Sequence, residues 1–282
     1  MSLWEAILLG VVQGLTEFLP ISSTAHLLVA REWLGHADPK DSFTTVVQLG
    51  TLVAVFVYFR RDIAAILAAV WQDVRTRRFA SSPASRLAWL IVLGTIPAGL
   101  VGFLFQKKIK AAFYNVPAMA VVAVVFALLM LAAEWWHKRR KRPEIGENEI
   151  GWKEALWTGV WQMLALMPGA SRSGSTISGG LFAGMNRAAA ARFSFLLSLP
   201  TILAAGLKDL YDEFKAYRTD GTGLFASGDQ MLALAVATAV SGVVGYLSIA
   251  WLLGFLKRRS MAVFVAYRLA LAAVLLAWWV WR

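Results

Sequence analysis

Six long stretches of the chain are almost free of charged side chains: Phe43–Phe59, Leu87–Phe105, Val116–Trp136, Phe193–Leu207, Met231–Leu256 and Met261–Trp281. They approach the roughly 20 apolar residues that an α-helix needs to cross the hydrocarbon core of a bilayer. Each predicts a membrane-spanning helix. Two further apolar regions differ, because each is cut in two by a polar stretch. The first cut is Leu19-Pro20-Ile21-Ser22-Ser23-Thr24. The second is Pro168-Gly169-Ala170-Ser171-Arg172-Ser173-Gly174-Ser175-Thr176. The pieces on either side are too short to span singly. Each pair is therefore expected to form a re-entrant helical hairpin, with a new helical run in the first starting near Ala25. Irregular backbone at membrane depth is tolerated only inside protein or beside a water-filled cavity.

The two cuts are related. A shift of 149 residues superposes Glu5 on Glu154, Ala6 on Ala155, Gly10 on Gly159 and Val11 on Val160. It also pairs Gln13 with Gln162, Leu15 with Leu164, Ser22 with Ser171 and Gly35 with Gly184. Each copy then comprises one hairpin and three spans, and an odd number of crossings inverts the second copy. The expected fold is an all-α polytopic membrane protein with inverted-topology repeats, six full transmembrane helices and two re-entrant hairpins. The expected division is 1–137 for the first repeat, 138–152 for a basic cytoplasmic linker and 153–282 for the second repeat. Paired interruptions in the two halves point to a binding site near the bilayer midplane.

Composition fixes the orientation. The chain has 282 residues, is 59% hydrophobic and carries a net charge of +11. The connections Arg60–Arg86, His137–Lys153 and Lys257–Arg259 hold fifteen Lys and Arg, against eight in Arg31–Asp41, Gln106–Asn115 and Leu207–Asp229. Placing the richer set inside obeys the positive-inside rule and leaves both termini outside. The basic charge thus marks the cytoplasmic face. No stripe of basic and stacking aromatic residues argues for nucleic acid. With 0 cysteines, disulfides and thiolate metal sites are excluded. The N-terminus lacks the features of a cleaved signal peptide, so the first helix is expected to remain.

Ionisable side chains within apolar segments are expensive and mark candidate sites. Glu17 follows Gln13 by one helical turn, so the two share a face. They supply either two oxygen ligands for a hard cation such as Mg²⁺ or Ca²⁺, or one ligand and one base. Ser22, Ser23 and Thr24 occupy the first break, where capping a helix is their ordinary role. His26, in an apolar context, follows at once; a hydroxyl with a neighbouring imidazole is a recurrent nucleophile–base pair. His36 and His137 are expected in loops, solvated. In the second break the N-terminus of a helix favours anions, Arg172 adds a permanently charged fork, and Ser171, Ser173, Gly174 and Thr176 allow close approach. The copies are chemically unequal: Glu17 aligns with Leu166, Ser23 with Arg172, and His26 with Ser175. A carboxylate on one side and an anion clamp on the other suit phosphoryl transfer.

At these residues the chain resembles the undecaprenyl-diphosphate phosphatase family, associated with bacitracin resistance. The resemblance rests on Gln13-Gly-Leu-Thr-Glu17-Phe-Leu-Pro-Ile-Ser22-Ser23-Thr24-Ala-His26 and on Pro168-Gly-Ala-Ser171-Arg172-Ser173-Gly174-Ser-Thr176. Val47-Gln48-Leu49-Gly50, Ile96-Pro97 and Phe193-Ser194-Phe195-Leu196-Leu197 are similar too. The resemblance implies a site opening toward the periplasm of a bacterial inner membrane, a divalent cation, and hydrolysis of a C55 isoprenyl diphosphate to the monophosphate. Carried over by position, Gln13 and Glu17 serve metal or acid–base chemistry. Ser23 and His26 become the candidate nucleophile and its base, the motif leaving attack by serine, histidine or water open, and Arg172 a catalytic cation. Ser22, Thr24, Ser171, Arg172, Ser173, Gly174 and Thr176 would hold the diphosphate. Because Gln13 cannot act as a base, Glu17 must do any carboxylate work. The expected partners are the lipid substrate, the surrounding lipids and a second copy in a homodimer. A lipid flippase or secondary transporter is the alternative, since inverted repeats and broken helices also serve transport. The phosphatidic-acid-phosphatase type is excluded: no His and Asp follow Ser171-Arg172 at suitable spacing.

Overall fold

The computed structural model describes residues 1–36, 42–221, 225 and 227–281. Parts of the Arg31–Asp41 and Leu207–Asp229 connections lie outside them. The described residues form helices throughout: α1 (Leu3–Phe18), α2 (Ser23–Trp33), α3 (Ser42–Tyr58), α4 (Arg60–Thr76), α5 (Pro83–Phe113), α6 (Val116–Arg139), α7 (Trp152–Leu164), α8 (Arg172–Ala183), α9 (Arg187–Asp220), α10 (Gly228–Leu256) and α11 (Ala262–Trp281).

Every expected span lies in or along one of α3, α5, α6, α9, α10 and α11. All but α3 are long and apolar enough to cross a bilayer, and α3 is a shorter apolar helix over Phe43–Tyr58. The protein is therefore an all-α, multi-pass membrane protein. Many large apolar side chains face outward, among them Phe103 on α5 and Val243 on α10. In a bilayer such residues meet lipid, and their exposure costs nothing. The pieces of the hairpins have 16, 11, 13 and 12 residues. At about 1.5 Å per residue, none bridges the roughly 30 Å of hydrocarbon.

The connections differ from expectation in three respects. The Arg60–Arg86 connection contains α4, whose outer side carries Leu67, Trp71 and Val74 beside Arg75. Its arginines had masked a helical apolar period, the pattern of a helix lying along an interface. Helices α5 and α9 overrun their predicted ends to Phe113 and Asp220, because lysines at a helix end do not stop a helix. His137 is not in a loop. It occupies the last turn of α6, is buried, and sits 3.1 Å from Glu144. His36 is half-buried and bonded to Glu5 at 3.0 Å.

The packing sets each hairpin against a span of the other half. Helix α1 packs on α10, while α7 packs on α5. Both contacts are backbone-close at the aligned glycines. A Cβ added at Gly10 would fall 2.6 Å from Ala237 O, and one at Gly159 would fall 2.2 Å from Gly94 O. Phe18, Phe59 and Phe195 lie in the largest core cluster, with Phe18 edge-on to Phe195 at 5.5 Å. That ring fixes the end of α1 next to Glu17. At the far end Glu134 of α6 accepts the Arg187 fork, with Nη2 at 2.6 Å, and the Met261 backbone N–H at 2.8 Å. The linker is stitched to the second hairpin: Ile145 N–H donates to Gly184 O, and Asn186 N–H to Ile145 O.

Candidate active site

Both hairpins turn on a serine with left-handed backbone. Ser22 precedes α2 at φ 75° and ψ 96°, and Ser171 precedes α8 at φ 67° and ψ 113°. These are aligned residues of the repeat. Non-glycine residues in such conformations cost of order 1–3 kcal/mol and persist only where surrounding structure enforces them. The turn aims the N-termini of α2 and α8, with their unpaired N–H groups and positive dipole ends, at the interrupted region. Ser171 Oγ caps α8 by accepting from Gly174 N–H at 3.3 Å, whereas the Ser22 side chain makes no cap.

The tips touch. Ser173 Oγ donates to Leu19 O at 3.2 Å, and a Cβ on Gly174 would lie 3.3 Å from Pro20 Cβ. Glu17 stands where they meet. Its Oε2 accepts from Gln13 Nε2 at 3.0 Å and from Ser23 Oγ at 3.0 Å. Its Oε1 accepts from Gln48 Nε2 at 2.9 Å and pairs with Arg172 Nη2. Four donors occupy a carboxylate with about four lone-pair positions. The group is buried, with its side chain 4% exposed, while that of Arg172 keeps 19% exposure. Ser23 and Arg172 are each the first residue of their helix, and they align in the repeat. One carboxylate thus receives the equivalent residue of both hairpins.

The other predicted residues divide. His26 is not bonded to Ser23. Its Nδ1 lies 2.7 Å from Ser22 O and its Nε2 2.7 Å from Tyr267 Oη. A carbonyl only accepts, so Nδ1 carries a proton, and Nε2 shares its hydrogen bond with the Tyr267 hydroxyl. The hydroxyl of Ser23 has Glu17 as its neighbouring base instead. Thr24 is half-buried in the first turn of α2. Ser171 and Ser173 hydroxyls lie 3.3 Å apart. Thr176 is fully buried, and its hydroxyl is bonded to Arg172 O at 2.7 Å and to Ser194. Contact with a ligand would require breaking those bonds.

Three residues escaped the sequence reading. Gln48 on α3 holds Glu17 from the side opposite Gln13. Tyr267 on α11 holds His26, with the rings 5.6 Å apart and nearly parallel. Arg268, the next residue, is fully buried and reaches both breaks. The rule that singled out Glu17, an ionisable group inside an apolar span, also marks Arg268.

The donor set suits a hard cation only in part. Gln13 Oε1 is buried without a partner, an oxygen available beside the Glu17 carboxylate. Among the described residues no group of three or more His, Asp or Glu side chains could hold a metal. A cation here would need oxygens from its ligand, which is how Mg²⁺ commonly binds beside phosphates.

Fold and site together define a multi-pass membrane protein whose polar centre is built from two broken helices. The family profile described as bacitracin resistance protein BacA matches residues 6–274. The undecaprenyl-diphosphatase of Chlorobium phaeobacteroides strain BS1 is 47% identical over 279 residues, 98% of this chain and 96% of that protein. Those of Chloroherpeton thalassium, 47% identical, and Prosthecochloris aestuarii, 46% identical, each align over 280 residues, 98% of this chain and 96% and 97% of theirs. The chain belongs to the bacitracin resistance protein BacA family.

Proposed function

We propose that the protein hydrolyses undecaprenyl diphosphate to undecaprenyl phosphate and inorganic phosphate in a bacterial plasma membrane, so recycling the lipid carrier. The observation that carries this reading is the carboxylate of Glu17 bonded at once to the Ser23 hydroxyl and the Arg172 guanidinium. The relatives' names agree with it. Arg172 exchanges its carboxylate partner for the terminal phosphate, which also meets the N–H groups opening α8. Glu17, released from that pairing, takes the proton of Ser23 as Oγ bonds to phosphorus. The bond from phosphorus to the bridging oxygen breaks, and the lipid monophosphate departs. Glu17 passes that proton to the departing lipid monophosphate. Water then attacks the phosphoserine, Glu17 taking a proton from the water and returning it to Ser23 Oγ as inorganic phosphate is freed. Gln13 Oε1 and Glu17 would hold a divalent cation, whose charge would offset that of the diphosphate. His26 and Tyr267 form a second polar pair beside the break, suited to moving a proton to the leaving group.

We also infer that residues 1–137 and 153–282 are inverted copies, and that the site opens to the periplasmic side. The aligned serines and the excess of basic residues at the opposite ends of the spans support this. The test is direct. Purified protein in detergent should release inorganic phosphate from undecaprenyl diphosphate, and EDTA should stop it. Liposomes in which the lipid crosses the bilayer intact, with no phosphate released, would favour the transport reading instead.

A further inference from the structure

We propose that Arg268 is a positioning residue that clamps the two hairpin tips in register while Arg172 is engaged by phosphate; this rests on the hydrolytic reading above. Arg268 lies on α11 and is 0% exposed. Its Nη2 donates to Gly169 O at 2.9 Å and Ala123 O at 3.3 Å, and its Nη1 to Pro20 O at 3.5 Å. Pro20 and Gly169 are partners under the 149-residue shift. One guanidinium therefore reaches the equivalent carbonyl in each break, closely at Gly169 and at longer range at Pro20. Interrupting a helix leaves such carbonyls without their usual donors, a costly state at membrane depth unless something supplies them. No carboxylate pairs with Arg268 among the described residues.

The chemistry of the site gives a further fastening a role beside the single Ser173–Leu19 bond. Glu17 and Arg172 hold the tips together, yet that contact must loosen when Arg172 turns to a phosphate. Arg268 binds backbone oxygens, which a ligand does not compete for. Its planar fork has fixed spacing, so it sets the distance between Pro20 and Gly169 more rigidly than an ammonium would. The base sits on one hairpin and the phosphate clamp on the other. Any slip between them misaligns the attacking group without removing the phosphate's binding partners.

The experiment compares Arg268→Gln and Arg268→Lys with the parent, each purified in detergent. Turnover of undecaprenyl diphosphate is measured together with tip proximity. The chain has 0 cysteines, so Pro20→Cys with Gly174→Cys provides one tip-to-tip pair whose oxidation rate reports approach. We expect Arg268→Gln to lower kcat by about 100-fold with KM changed by less than about threefold, as misplacement by an ångström would do. Cross-linking should slow by about tenfold as the effective concentration of the thiols falls. Arg268→Lys should recover part of kcat, and it decides by the same two readouts if Arg268→Gln does not fold. Variants with parental kcat, or with reduced kcat and an unchanged cross-linking rate, would overturn the clamp. If the parent itself releases no phosphate, the hydrolytic reading fails, while the cross-linking rates still judge the clamp.

Discussion

The hairpins α1–α2 and α7–α8 share a backbone and differ in their side chains. Both break at a left-handed serine, both have helices too short to span, and both cap their first helix with a glutamate. Glu5 accepts Ser2 N–H at 2.6 Å, and Glu154 accepts Gly151 N–H at 2.9 Å. At the site the likeness ends. One copy offers Glu17, Ser23 and His26 where the other offers Leu166, Arg172 and Ser175. The geometry occurs twice, and the chemistry is divided between the two hairpins. Neither hairpin alone carries both a base and an anion clamp.

The largest test of that division is the contact joining the copies. Glu17→Gln and Arg172→Met should each lower phosphate release by about 10³-fold, the scale of losing a positioned charge. Combining them should cost little more, since each alone disables the unit. Stability should behave similarly: either single change strands a buried charge, at about 3–5 kcal/mol, and the double change restores much of it, read as thermal midpoints in detergent. Additive losses in both assays would show that the hairpins act independently.

A smaller effect separates the aligned glutamines. Gln13 serves Glu17, but both amide atoms of buried Gln162 lack partners. Gln13→Leu should lower turnover about tenfold or more and raise the Mg²⁺ concentration needed for half activity. Gln162→Leu should leave turnover unchanged and stabilise the protein by about 1–3 kcal/mol, because it removes an unsatisfied amide. Loss of activity in both variants would mean that the second copy keeps a share of the chemistry. The smallest effect concerns the shared backbone. Ser22→Gly should raise stability by about 1 kcal/mol through relief of strain. Ser171→Gly should gain less, since it also discards the Gly174 cap.

Much of this was legible in the sequence because a membrane restricts the chain to few solutions. Apolar length gave the six spans, and Pro20, Pro168 and Gly169 marked the breaks. What escaped needed the third dimension. Gln48 and Tyr267 are ordinary residues of apolar helices until packing brings them to Glu17 and His26. The partner of Ser23 could not be read from spacing either. His26 is closer to it in sequence than Glu17 is, yet the turn at Ser22 directs the hydroxyl back to α1 and the imidazole toward α11. Helix α4 was hidden by its arginines, which a loop and an interfacial helix share.

The knot at Glu134 bears on what kind of machine this is. That single carboxylate holds the end of α6, the start of α9 through Arg187 and the start of α11 through Met261. To rock one half against the other, as alternating-access carriers do, three helices would have to let go of one acid together. A tie of that kind suits a protein that works on its ligand from one side of the membrane better than one that must release its grip to reopen on the other.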